Sequence, residues 1–292
     1  MESDAQQTST SRHTPTQVFP IVGIGASAGG LEAVTQVLQH LPARTGMAFV
    51  LVQHLDPTHK SLLADPLTRA TPMEVRVAQD GLVVEADHMY VIPPNTDMTL
   101  VQGTLALVPQ TKTEGQHFSI DTFLLSLAES QSARAIGIIL SGAATDGTCG
   151  LQGIKAQGGL TLAQGVRSAK FSGMPQSAIA AGCVDFIGSP KQIAEELTRM
   201  SRHPYLHQPL VTQTDEEESA PFVRVQALPE EERDFQQILR ALGLRTGVDT
   251  TAYKSTSLKR RIQRRMALAQ IDSFAGYLSY LSDHPAEGEA LY

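Results

Sequence analysis

Residues 23–30 read Gly-Ile-Gly-Ala-Ser-Ala-Gly-Gly, and the stretch satisfies two patterns that carry chemistry. From Gly23 it is G-x-G-x-x-A, a variant of the dinucleotide-binding turn. From Gly25 it is G-x-S-x-G, the turn that lifts a serine nucleophile clear of a sheet. Both need glycine, because the backbone passes sharply from strand to helix with no room for Cβ atoms. Only the second gives Ser27 a task. Its hydroxyl would stand at the apex, with the N–H groups after it at the positive start of a helix. A plain strand-to-helix turn with Ser27 as the helix cap uses the same residues.

Two further residues could join Ser27. His54 ends the apolar run 47–54, and a general base for Ser27 would have to sit at the end of such a neighbouring strand. A dinucleotide fold would place an acid there, and Asp56 comes two residues late. A histidine in this position also serves as an ordinary structural residue. Asp146 precedes Gly147 just beyond the apolar run 135–140. Asp-Gly is a common turn pair, but a carboxylate here could accept the Nδ1–H of His54 and complete Ser-His-Asp geometry. The chain order Ser, His, Asp differs from the Ser, Asp, His order of α/β-hydrolases. The other histidines offer no pair with metal-ligand spacing on one element.

The elements that must position these residues follow from apolar patterning. Short apolar, β-branched runs at 19–24, 47–54, 135–140 and 159–164 read as buried strands. Helical spacing follows Gly29, through Leu31, Val34, Val37, Leu38 and Leu41, with Pro42 closing it. Further helices are expected at 58–69, kinked or shortened by Pro66, and at 120–129, 151–157 and 192–200. Between them, 75–84, 89–92 and 99–108 form a turn-rich β region. Strands alternating with helices predict an α/β domain: a doubly wound, mostly parallel sheet with helices on both faces. In such sheets function collects beyond the carboxyl ends of the strands.

The chain has 292 residues, 41% of them apolar, and a formal charge of −7. No stretch approaches the roughly 20 apolar residues of a membrane span. Two cysteines, Cys149 and Cys183, fit a reducing cytoplasm better than a disulfide scaffold. With no Trp and 5% aromatics, stacking on single-stranded nucleic acid is disfavoured. Residues 1–18 are polar and read as a disordered arm, not a signal peptide. Residues 19–202 make the α/β domain. Residues 203–233 hold 2 basic and 7 acidic side chains and read as an acidic, Pro-containing linker. Residues 234–292 hold 8 basic and 6 acidic side chains and read as a small all-α domain.

Ile-Gly-Ala-Ser-Ala-Gly-Gly, Val-Gln-His-Leu, Tyr-Val-Ile-Pro-Pro-Asn, Ile-Leu-Ser-Gly-x-x-x-Asp-Gly and Gly-Met-Pro-Gln-Ser-Ala-Ile occur in this order. Together they resemble the catalytic domain of the chemotaxis receptor methylesterases, the CheB family, over roughly 19–200. The resemblance implies a Ser27, His54, Asp146 triad without metal or cofactor. Backbone N–H groups of Ala28 and Ala143 would hold the oxyanion, and Gly25, Gly29, Gly173, Met174 and Pro175 would border the site. The implied reaction hydrolyses γ-glutamyl methyl esters on methyl-accepting chemotaxis receptors to glutamate and methanol, with receptor glutamine deamidation as a side activity. Nucleic acid and membrane insertion have no part in it.

Three departures from the family pattern matter. Ala28 stands where many members have Thr, which leaves the N–H donor intact. Phe171-Ser172-Gly173-Met174-Pro175 carries an inserted Ser. Ala143-Ala144-Thr145 replaces a loop that usually contains glycine; a shift of Asp146 there would bear on the rate more than on the reaction type, and a catalytically weak receptor-binding adaptor is the alternative reading. Regulated members carry an N-terminal phospho-acceptor domain, which 18 residues cannot form, so regulation is expected from elsewhere.

In the C-terminal segment, Phe235, Ile238, Leu239 and Leu242 share one helical face, and Leu258, Ile262 and Met266 another. Beside the second lie Lys259, Arg260, Arg261, Arg264 and Arg265, predicted to expose two basic rows at i, i+4 spacing. Tyr253-Lys254-x-x-x-Leu258-x-Arg260-Arg261-Ile262-x-Arg264-Arg265-Met266 resembles the N-terminal helical domain of the chemotaxis receptor methyltransferases, the CheR family. The resemblance implies that this basic helix faces acidic receptor segments. Tyr292 precedes the expected S-adenosylmethionine-binding fold, so the chain reads as the front of a CheB/CheR fusion without methyltransferase activity.

Overall fold

A computed structural model describes residues 19–54, 64–110, 118–207, 230–246, 255–284 and 287. The expected arm over 1–18, the part of the 58–69 helix before 64, and positions 208–229 of the linker lie outside the described residues.

The chain alternates as the apolar runs predict. It passes through β1 (Ile21–Ala26), α1 (Gly30–His40), β2 (Ala48–Gln53) and α2 (Ala64–Ala70). Pro66 falls in the first turn of α2, where no N–H is needed. Then come β3 (Glu74–Val77), β4 (Leu82–Val83), β5 (His88–Val91), β6 (Thr96–Val101) and β7 (Thr104–Pro109). The expected single segment 99–108 is instead a hairpin. Gln102 and Gly103 both take positive φ, 48° and 78°, the geometry of a two-residue turn. After α3 (Ser119–Gln131) follow β8 (Ala135–Ile139), α4 (Thr148–Ala156), β9 (Leu160–Gln164), α5 (Gly173–Ala180), β10 (Phe186–Gly188) and α6 (Pro190–Met200).

Seven strands form one sheet in the order β10-β9-β8-β1-β2-β5-β3, each neighbouring pair parallel. Beside it, β4, β7 and β6 form a small antiparallel sheet. From β1 the chain winds first toward β2 and later returns to β8 on the other side. The crevice between β1 and β8 is therefore the topological switch point, where such sheets bind their ligands.

Both faces of the sheet are covered. Val34, Val37 and Leu38 of α1 and Ile193, Leu197 and Met200 of α6 pack on one face. Ile120, Phe123 and Leu124 of α3 with Leu151 and Ile154 of α4 pack on the other. Fully buried side chains of this kind are worth about 1.5–3 kcal/mol each. Gly150 and Gly153 let α4 press against α3, because a Cβ on either would strike Leu124 or Leu125.

The ends of the expected linker are folded. His203, Tyr205 and Leu206 are buried around the 3-10 turn Pro204–His207, and Tyr205 and Leu206 join the α/β core. Glu230, Glu231 and Glu232 open α7 (Glu230–Thr246), where acids favour a helix start. Composition flagged charge and proline but not the apolar anchors among them.

With α8 (Ser255–Leu268) and α9 (Phe274–Asp283), α7 encloses a separate core of Phe235, Ile238, Leu258, Ile262, Phe274 and Tyr277. This helical unit docks on the α/β domain. Arg264 donates to the Gly159 carbonyl at 3.1 Å and pairs with Asp185 at 2.5 Å, and Arg199 donates to the Ala267 carbonyl at 2.9 Å. Gly159 and Asp185 immediately precede β9 and β10, so the docking surface lies at the amino ends of the strands. The switch-point crevice is at the opposite end.

Candidate active site

Parallel register sets the first two residues side by side. Ala26 is paired with Gln53, so Ser27 and His54 leave adjacent strand ends about 5 Å apart. On its other flank, the Ser27 N–H donates to the Ser141 carbonyl at 3.0 Å. Ser27 is thus pinned between the strands on either side of β1.

The turn after Ser27 is tight. Gly29 has φ 69° and caps α1, a left-handed conformation that costs other residues about 1–2 kcal/mol. A Cβ there would also meet Ser141 Oγ at 2.9 Å. The N-cap of α1 is Gly29, not Ser27, so the alternative reading of Ser27 as the helix cap does not hold. The Ser27 carbonyl accepts the Gly30 N–H at 2.8 Å, leaving the hydroxyl to other work.

Asp146 is 1% exposed, against 34% for His54, and the His54 Nε2 to Asp146 Oδ2 distance is 2.8 Å. The expected Nδ1 contact is corrected: Nε2 is the paired nitrogen. The reason is topological. His54 projects from β2 and Asp146 follows β8, on the far side of β1, so the distal ring nitrogen reaches it. Among the described residues no hydrogen bond joins Ser27 Oγ to His54, a contact that in free enzymes often tightens only with substrate.

Asp146 is held firmly. Its Oδ2 also accepts the Ile120 N–H at 3.0 Å, and its Oδ1 accepts the Asp121 N–H at 2.9 Å. Both donors belong to the first turn of α3, where unpaired N–H groups and the helix dipole favour a carboxylate. Gly25 acts through this helix. Its missing Cβ makes room for Ile120 and Ile139, so it seats α3 and does not border substrate space.

The 143–145 loop leaves the pair intact despite its missing glycine. Ala144 takes φ 66°, the left-handed conformation that glycine would adopt without cost. The strain stays at Ala144, and Asp146 still meets His54. No hydrogen bond joins the Ala28 or Ala143 N–H to an acceptor among the described residues.

Sequence reasoning missed Ser141 and Gln164. Ser141 Oγ donates to the Ala28 carbonyl at 2.8 Å and accepts the Phe171 N–H at 3.0 Å. Gln164 accepts the Ser141 N–H at 2.9 Å and donates to the Ser168 carbonyl at 2.9 Å. Together they staple the serine turn to the 168–171 loop. The available signal was a polar residue closing each of two buried apolar strands. That loop leads into α5, where Met174 and Pro175 are buried and Gly173 passes Ala144 so closely that a Cβ would meet its nitrogen at 3.0 Å. Gly142 is equally constrained, with Met174 Sδ and Ser27 Cβ where its own Cβ would go.

Lys259, Arg260, Arg264 and Arg265 of α8 are only partly exposed, which corrects the expected pair of open rows. Arg260 donates to the Gln157 carbonyl, Arg264 is bound to Asp185, and Arg265 pairs with Glu287. Lys259 lies over the Phe235 and Phe274 rings at 5.6 and 5.5 Å. Arg261 remains exposed.

The fold defines a doubly wound α/β protein that brings the ends of the strands carrying Ser27, His54 and the buried Asp146 to its switch point. Residues 22–197 match the family described as CheB methylesterase, and the chain belongs to that family. Residues 233–292 match the all-alpha domain of CheR methyltransferase. The chain is 36% identical over 178 residues to protein-glutamate methylesterase/protein-glutamine glutaminase 1 of Pseudomonas fluorescens, covering 61% of this chain and 53% of the relative. It is 33% identical over 235 residues to an uncharacterized 104.1 kDa protein of Rhodobacter capsulatus, covering 77% of this chain and 24% of the relative. The chain thus spans about half the length of the methylesterase relative and a quarter of the larger one. The solved CheB methylesterase catalytic domain of Thermotoga maritima aligns with a TM-score of 0.58 at 28% identity, covering 62% of this chain and 98% of that one. No helix among the described residues is long and apolar enough to cross a membrane.

Proposed function

We propose that the protein is a protein-glutamate methylesterase acting on γ-glutamyl methyl esters of chemotaxis receptors, with glutamine deamidation as a second activity. The observation that carries this reading is the buried Asp146 held on His54 Nε2 beside the Ser27 turn. In the proposed mechanism Ser27 Oγ attacks the ester carbonyl while His54 Nδ1 takes its proton. Asp146 orients the ring and balances the imidazolium. The developing oxyanion is held by the Ala28 and Ala143 N–H groups. His54 then protonates departing methoxide to methanol, and water repeats the cycle on the acyl-enzyme to release glutamate.

Methanol release from methylated receptor tests the reading. The wild-type chain releases it and Ser27→Ala does not; equal release by both would remove the triad assignment. Labelling of Ser27 by a serine-directed phosphonate, lost in His54→Ala, separates an enzyme from an inactive adaptor. The helical unit is assigned the recognition of acidic receptor segments through the exposed Arg261, while Arg264 and Arg265 hold the protein together.

A further inference from the structure

Two carboxylates exchange partners across the N-termini of α3 and α4. Asp146, just before α4, accepts the Ile120 and Asp121 N–H groups that open α3. Asp121, in the first turn of α3, accepts the Gly150 N–H of α4 at 2.7 Å. Asp121 is 9% exposed and lies near the Asp146 carboxyl. Each helix start is therefore closed by the other's aspartate, and the latch sets where Asp146 can sit.

We propose that Asp121 is a positioning residue for the triad, fixing Asp146 in the orientation that meets His54. The proposal rests on the esterase reading for its kinetic consequence, but not for its geometry. The titratable groups facing Asp121 are Asp146 and, beyond it, His54; α4 contributes only N–H groups. No cation is shared with Asp121, and two touching carboxyls do not both ionise. The proton of the pair is placed on Asp121. Burial, and then the nearby Asp146, raise the Asp121 carboxyl above its ordinary range, in keeping with this placement. Asp121 then donates its O–H toward Asp146 while accepting from α4.

The test compares wild type, Asp121→Asn and Asp121→Ala in the full chain. Two readouts are used: NMR titration of the His54 imidazole, and methanol release from methylated receptor. Asn keeps the shape, a donor and an acceptor, so it is expected to hold the His54 midpoint and to keep kcat within about threefold. Ala frees Asp146, lowering the His54 midpoint by about one pH unit and kcat by about 100-fold with KM unchanged. An unchanged His54 midpoint in folded Asp121→Ala would overturn the proposal. So would a lowered midpoint in Asp121→Asn, which folds as wild type does and carries the test if Ala does not. If wild type releases no methanol while the His54 midpoint still responds to Asp121→Ala, the esterase reading fails and the positioning role stands.

Discussion

His54 and Asp146 are 92 residues apart in sequence, yet Nε2 of one lies 2.8 Å from Oδ2 of the other. Neither residue has a local reason to meet its partner. The contact exists because β2 and β8 flank β1 in one parallel sheet.

Replacing Asp146 by Asn keeps the shape but removes the charge, and turns one of the two acceptor oxygens that fix the His54 tautomer into a donor. The expected loss in kcat for ester hydrolysis is about 10⁴-fold, by analogy with other triads. Binding of methylated receptor should be unchanged, measured by fluorescence anisotropy. Activity within tenfold of wild type would detach Asp146 from the chemistry.

Gly142→Ala and Ala144→Gly should act in opposite directions. A methyl at 142 collides with Met174 and Ser27 Cβ, so stability should fall by about 1–3 kcal/mol, together with activity. At 144, glycine relieves the left-handed strain of φ 66°, with a gain of up to about 1 kcal/mol and no loss of rate. Denaturant melts of the two variants check both signs.

Arg264 and Arg261 separate docking from recognition. Arg264→Ala leaves Asp185, 5% exposed, with only Lys155 at 3.7 Å and Thr161 as partners among the described residues, and should cost about 1–3 kcal/mol. The uncoupled helical unit should then be released by limited proteolysis faster than in wild type. Arg261→Glu should leave stability within about 0.5 kcal/mol while weakening binding of an acidic receptor helix at low salt. Equal binding by Arg261→Glu and wild type would move recognition elsewhere.

His203 makes stability depend on pH. Burial holds its pKa below the ordinary value of 6.5, outweighing the raising effects of the Ile271 carbonyl and Asp272, while Arg199 also lowers it. The unfolded chain takes up the proton first as pH falls, so between 6.5 and the lower folded value it binds more protons than the native state. Stability from neutral His203 is complete above about pH 6.5 and is lost as pH drops through that window. Tm should fall from pH 7.5 to 5.5, and His203→Gln should flatten the slope. An identical slope in the variant would assign the titration to another group.

Much was readable from local pattern. The runs around Ile21, Phe49, Ile136 and Leu160 are apolar on both faces, and only a sheet covered on both sides can bury them. The glycines at 25 and 29 marked a strand-to-helix turn with Ser27 at its apex. Segments with weaker patterns were less legible. The 99–108 run concealed a hairpin because Gln102 accepts a conformation usually left to glycine, and α5 and β10 are too short for periodicity to register. Tyr205 and Leu206 were hidden within an acidic, proline-bearing composition.

The sequence alone determined the residue types available for chemistry and the strand ends on which they would fall, because period and glycine placement are local properties. Tertiary structure decided which nitrogen of His54 meets Asp146, and that the first turn of α3 holds that carboxylate. It also turned Arg260, Arg264 and Arg265 inward, where helical spacing alone had exposed them. Those outcomes depend on strand order and interhelical approach, which join residues about 25 to 105 positions apart and leave no periodic trace in the chain.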